Sequence, residues 1–68
     1  MVDADDYIDL DVTFLHATDS AVLIDDGDEE YWLPRRFVDY DGDFETLERR
    51  TSIQLRVVEW LAHQRGLI

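Results

Sequence analysis

The stretch Ile8–Phe14, IDLDVTF, alternates strictly: Ile8, Leu10, Val12 and Phe14 on one side, Asp9, Asp11 and Thr13 on the other. A period of two is the signature of a half-buried strand, and it commits the chain to a sheet with one apolar and one wet face. In a chain of 68 residues that sheet has to serve as the whole scaffold. A domain of this size buries only about 60% of its unfolded surface, and its core supplies roughly 3–5 kcal/mol.

The rest of the chain reads in the same terms. Ala17 to Ser20 is a turn with Asp19 and Ser20 as its polar residues, and Ala21–Ile24 is a short apolar strand. Asp26-Gly27 predicts a primed hairpin turn, and Glu30–Leu33 the return strand. Pro34 ends that strand or places it on an edge. Arg35 to Tyr40 has room for one helical turn, and Asp39 to Glu45 forms a second acidic loop around Gly42. Thr51–Val57 alternates again through Ile53, Leu55 and Val57. A competing pattern joins Phe44, Leu47, Thr51, Leu55 and Val58 into one long helix, but the β-branched Thr51, Ile53 and Val57 favour the strand. Val58–Arg65 is a helix with Trp60, Leu61 and Gln64 at helical spacing and Gly66 as its C′ residue. The expectation is an α+β fold: one domain over residues 1–68, with 1–6 frayed, built as a small curled antiparallel sheet of three to four strands with one C-terminal helix.

Charge sets the functional classes. Seventeen acids face six bases, all Arg, for a net charge of -11. Residues 1–48 hold sixteen of the acids against Arg35 and Arg36, whereas 49–68 hold four Arg against Glu59. Such a chain repels nucleic-acid phosphates and attracts basic surfaces. Cysteine is absent, which removes disulfides and thiolate metal sites and fits a reducing compartment. The longest uninterrupted apolar run, Ala21–Ile24, is far too short to cross a bilayer, and the acidic MVDADDY start lacks a signal-peptide layout. A cytoplasmic protein without a membrane partner is expected.

Acids at this density suit three chemistries. Calcium-loop spacing fails: with Gly42 at the glycine position the first ligand is Phe37, and with Gly27 it is Val22. No specific metal site or cofactor is expected. Catalysis lacks a nucleophile motif. His16 continues the even-numbered, core-facing side of the first strand, and His63 sits at a helix end, so both read as structural and the chain as a non-enzyme. The third is polyanion mimicry. Strand residues two apart are about 6.6–6.8 Å apart, close to every second phosphate step of a DNA strand, about 3.4 Å each. The candidate anionic surface comprises Asp9 and Asp11, the tip Asp25, Asp26, Asp28, Glu29 and Glu30, and the loop Asp39, Asp41, Asp43 and Glu45. Gly27 and Gly42 supply its turns, and Arg49 or Arg50 is expected to brace it by pairing with loop acids. Two like charges about 7 Å apart in water repel by roughly 0.6 kcal/mol, so crowding them costs a small core a noticeable fraction of its stability. The alternatives are a salt-adapted or solubilising acidic coat with no nucleic-acid-related target, and an antitoxin for a basic toxin. Tyr31 pairs with Leu33 on the buried side. Trp32 lies near the rim, either packed on the helix through Trp60, the favoured reading, or as an aromatic anchor ringed by acids.

YWLPRR followed by VVEWLAHQRGLI resembles small phage and prophage proteins that carry a Trp-x-Pro-basic strand end and an EWLA…GL helix after a strand. The matching residues are Trp32, Pro34, Arg35, Glu59, Trp60, Leu61, Ala62, Gly66 and Leu67, and the likeness runs from about Asp11 onward. Arg35 and Arg36 stand where such proteins often have Lys. These positions are mostly fold-making. Small size and acidity together are similar, at the level of class, to DNA-mimic anti-CRISPR proteins. That resemblance implies an inhibitor whose partner is a basic DNA-recognition subunit of a CRISPR surveillance complex.

Overall fold

The computed structural model describes residues 6–67; residues 1–5, expected to fray, lie outside them, as does Ile68. Asp6 is tied in, because its carbonyl accepts the Glu59 N–H at 2.9 Å. Five antiparallel strands follow in chain order: β1 (Tyr7–Ala17), β2 (Ala21–Asp25), β3 (Glu30–Pro34), β4 (Val38–Asp39) and β5 (Thr51–Val58). They lie side by side as β3-β2-β1-β5-β4. Helix α1 (Glu59–Gln64) closes the chain, and single 3-10 turns sit at Arg35–Phe37 and Phe44–Thr46. The α+β class and the C-terminal helix agree with the sequence reading, but the sheet has five strands rather than three or four. The extra one is β4, whose two residues pair with Val57 and Arg56.

β1 is the spine. Its residues Tyr7 to Phe14 pair with β5, while Thr13 to Ala17 pair with β2. The two pairings overlap only at Thr13 and Phe14, so the sheet is staggered and the molecule long, 38 × 24 × 17 Å. Between Phe14 and His16 the register slips by one residue. Leu15 is the extra residue of a β-bulge, and such a residue reverses the facing of everything after it. Phe14 and Leu15 are therefore both buried, and His16 turns outward. The core-facing placement of His16 is thereby corrected: strict alternation does not survive an inserted residue.

The inner face of the sheet carries the core: Val12 and Phe14 from β1, Val22 and Ile24 from β2, Leu33 from β3, and Ile53, Leu55 and Val57 from β5. Leu61 and Ala62 of α1 close one end of it. The helix is shorter than the expected 58–65 span, and its buried side is Leu61 and Ala62; Trp60 and Gln64 are exposed. Gly66 is the C′ residue, at φ +74°, with Gly66 N–H on His63 C=O and Leu67 N–H on Ala62 C=O. That pair of bonds is the Schellman motif.

Three turns are built by side chains. Thr18, rather than Asp19 or Ser20, organises the β1–β2 turn: its hydroxyl accepts the N–H groups of Ser20 and Ala21. The β2–β3 connection is a four-residue loop between the paired Asp25 and Glu30, not the two-residue turn that Asp26-Gly27 suggested. Gly27 holds φ +106° there, a conformation costly for any residue with a Cβ. Gly42 works differently: a Cβ would stand 2.7 Å from the Tyr40 ring, so it is the close approach of that ring that requires glycine.

Candidate functional site

The outer face of the sheet carries the odd-numbered residues of β1 before the bulge and their cross-strand neighbours. Register places Asp9 opposite Arg56, and Arg56 opposite Asp39. Asp11 faces Gln54; Thr13 faces Asp25, and Asp25 faces Glu30. Five carboxylates from four strands thus share one face: Asp9, Asp11, Asp25, Glu30 and Asp39. The one base in these rows is Arg56, engaged with Asp39 at 3.0 Å.

The hairpin tip extends this face. Asp25 Oδ1 accepts the Gly27 N–H at 2.8 Å, and Asp26 Oδ1 accepts those of Asp28 and Glu29 at 2.8 and 2.9 Å. These are Asx turns, in which a carboxylate substitutes for a backbone acceptor. The two N–H donors, that of Glu29 first, lower the Asp26 pKa below its ordinary 3.8. Partial burial, then the charges of Asp26 and Glu29, push the Tyr31 phenol above 10.0. Two of the five tip acids therefore have structural duties. An Asp two residues before a glycine is the sequence signal for such a turn, and the expectation of a primed turn passed over it.

The loop acids lie elsewhere. Phe44 is buried against the core, stacked between Phe14 at 6.1 Å and Tyr40 at 5.2 Å. This packing lays the loop over the inner face, opposite Asp9 and Asp11. Asp43 caps the 3-10 turn by accepting the Glu45 N–H at 2.9 Å. Glu45 pairs with Arg35 at 3.1 Å, and Asp41 is exposed. The eleven candidate acids consequently form two surfaces: Asp9, Asp11, Asp25, Glu30 and Asp39 with the adjoining tip Asp26, Asp28 and Glu29, and separately Asp41, Asp43 and Glu45.

Bracing falls to Arg35 and Arg56; neither Arg49 nor Arg50 forms an ion pair among the described residues. Arg50 occupies a turn at φ +71° that sends its N–H to Phe14 C=O. Sequence reasoning missed Arg35. Its guanidinium donates to Thr18 C=O at 2.8 Å, reaches Glu45, and lies 5.1 Å over the Phe44 ring. These contacts join three distant segments, and no local pattern announces them.

Trp32 and Trp60 have different packing partners. Trp60 meets Phe37 edge-on at 5.0 Å, whereas Trp32 meets His16 at 6.3 Å on the outer face. Trp32 is 46% exposed, so the favoured packing of Trp32 on the helix is corrected. Leu33 is fully buried and Tyr31 partly so, as the pairing of the strand face predicts.

An open groove of about 390 Å³ runs between the second half of β1 and residues 44–49, lined by Phe14, Leu15, Phe44 and Leu47 with His16, Glu45 and Arg49 at its margins. Among the described residues no three His, Asp or Glu side chains are placed to hold a metal ion, and no helix is long and apolar enough to cross a membrane. Comparison with protein-family models, curated proteins and solved structures finds no match to the chain.

Proposed function

We propose that the protein is a DNA-mimic inhibitor whose outer sheet face and hairpin tip occupy a basic DNA-recognition surface on a partner protein. The observation that carries this reading is the register: four strands place five carboxylates on one uncovered face against Arg56 alone. Strand geometry spaces them. Asp9 and Asp11 stand about 6.6–6.8 Å apart, and neighbouring strands about 4.8 Å apart. A lysine- or arginine-lined channel that accepts phosphates at about 3.4 Å of axial rise per step would meet the charges of β1 at about every second step. The partner of choice is the DNA-recognition subunit of a CRISPR surveillance complex, which would make the protein an anti-CRISPR acting in the host cytoplasm without enzymatic activity, cofactor or nucleic-acid contact of its own.

The test is a DNA-binding competition. Surveillance complexes of several type I classes are incubated with the protein and then with labelled target duplex. Loss of duplex binding with co-elution of the protein supports the inhibitor, and Asp11→Asn with Glu30→Gln should weaken it, since neither side chain holds the fold. No competition and no co-elution on any complex would overturn it.

A second reading has its own observation. Asp19, Asp41, Glu48 and Glu59 are exposed on turns, loops and the helix rather than on the strands, as an acidic coat would have them. Salt separates the two. A salt-adapted coat gains stability toward molar salt, whereas a mimic's complex weakens as salt rises.

A further inference from the structure

The most exposed large apolar side chain of the sheet sits at the border of the acidic face. Trp32 is on β3, an edge strand, with Glu30 and Pro34 as its same-face neighbours. Across the ladder it faces Leu23, and Leu23 in turn faces His16. The next row along is Glu30 opposite Asp25. A row of Trp32, Leu23 and His16, with two large apolar side chains and an imidazole edge-on to the indole, therefore runs alongside a carboxylate row, Glu30–Asp25.

The indole contributes little to the core, which lies on the other face of the sheet. Two other aromatic rings in the chain carry an arginine of the same chain: Arg35 lies over Phe44 and Arg36 over Phe37. Trp32, the best ring for a cation, carries none among the described residues. A guanidinium can lie flat on an indole while its N–H fork reaches a neighbouring carboxylate; a lysine ammonium, being a point charge, cannot satisfy both so well.

We infer that Trp32, with Glu30 and Asp25, is the anchor for an arginine side chain on the partner. The inference rests on the reading above that the partner is basic, and it adds which residue of that partner is gripped and where. Charge selects the occupant. Two copies meeting through this face would set Glu30 and Asp25 against their own kind, whereas an arginine-bearing surface neutralises them.

The experiment uses two charge-matched probes, labelled tetra-arginine amide and tetra-lysine amide, followed by anisotropy at low salt. The intact protein should bind the arginine peptide more tightly, by up to the roughly 2–5-fold that one exposed cation–aromatic contact is worth. Trp32→Leu leaves every charge in place and should reduce the preference to parity. Trp32→Phe keeps a ring and should retain part of it, which guards against a folding failure in the leucine variant. In a Trp60→Phe background the remaining indole emission should respond saturably to the arginine peptide. A preference that persists in Trp32→Leu, or an unresponsive Trp32, would overturn the anchor. If both peptides bind equally and Glu30→Gln weakens both, the basic-partner reading stands and only the anchor falls. If neither peptide binds, both fall.

Discussion

Replacing Arg35 should cost this small fold a large share of its stability, and the structure lets the loss be apportioned. The side chain is 27% exposed and makes three contacts. The first is the bond to Thr18 C=O at 2.8 Å, a charge-assisted hydrogen bond. Such bonds contribute about 1.5–3 kcal/mol when buried, and partial exposure places this one near the lower end. The second is the guanidinium over the Phe44 ring at 5.1 Å, roughly 0.5–1 kcal/mol. The third is the Glu45 ion pair. Its carboxylate is 66% exposed, so solvent screening limits it to a few tenths of a kcal/mol, within the roughly 0–1 kcal/mol of surface pairs. Arg35→Ala should then destabilise by about 2–3 kcal/mol. A domain of this size has about 3–10 kcal/mol in total on a scale of about 0.05–0.15 kcal/mol per residue, and each kcal/mol moves its midpoint by roughly 4–8 °C. Arg35→Lys keeps the charge but loses the planar fork and should cost about half as much. Glu45→Gln should cost well under 1 kcal/mol. Urea titrations followed by tryptophan emission and far-UV circular dichroism measure all three. The reasoning fails if Glu45→Gln costs as much as Arg35→Ala, because the exposed ion pair would then be the staple. It fails equally if Arg35→Ala lowers the unfolding free energy by less than about 0.5 kcal/mol.

Three further outcomes are expected. Asp26 has a lowered pKa in the fold, so its contribution is fully present above 3.8 and is lost as pH falls through the folded value. The stability gap between the intact protein and Asp26→Ala should therefore close in acid, as thermal melts at stepped pH would show, and a gap constant down to the lowest pH would refute the Asx-turn role. Asp26→Asn keeps an oxygen acceptor and should fold nearly as well as the intact chain. Gly42→Ala places a methyl 2.7 Å from the Tyr40 ring and should displace it from Phe44, costing about 1–3 kcal/mol; unchanged aromatic near-UV dichroism would count against this.

The parts of the fold that could be read in advance are those whose cause is local. Ile8 to Phe14 alternates, so β1 and its faces were legible as far as Phe14. Gly66 follows an amphipathic stretch, so its capping role was legible too. What escaped depends on contacts across the chain. A period-two pattern does not reveal where an extra residue enters, and Leu15 enters at the point where β1 exchanges β5 for β2 as its partner. Val38 and Asp39 are a strand only because β5 offers them an edge. Trp32 and Trp60 looked like partners because both are large and apolar, yet they lie on different elements, one facing His16 and the other Phe37. For the candidate site, alternation with apolar residues put Asp9 and Asp11 on the wet side of β1. The loop acids could not be placed that way: Asp39 joins the outer face only by pairing with β5, and the burial of Phe44 decides which side Asp41, Asp43 and Glu45 cover.

Sorting the acids by what they do sharpens the question of why the chain holds so many. Asp25, Asp26 and Asp43 accept backbone N–H groups, and Asp39 and Glu45 face arginines. Each of these has a reason to be acidic that needs no partner. Asp11, Asp28, Glu30 and Asp41 take no hydrogen bond or ion pair among the described residues, and Asp9 only faces an Arg56 already engaged by Asp39. Of these five, Asp9, Asp11 and Glu30 belong to the outer face and Asp28 to the tip beside it. Their mutual repulsion is a cost that neither the turns nor the core requires, so their neutralisation should stabilise the fold slightly while weakening any basic partner's grip. Neutralising Asp25 and Asp26 touches the acceptors of the turn as well as the charge, even as Asn, and is the less clean test. Asp11→Asn, Asp28→Asn and Glu30→Gln combined are the cleaner one. A variant that melts higher and still competes fully with DNA would mean that the unspent charge serves solubility alone; one that melts higher and no longer competes would show that the fold tolerates this charge for the sake of the surface it meets.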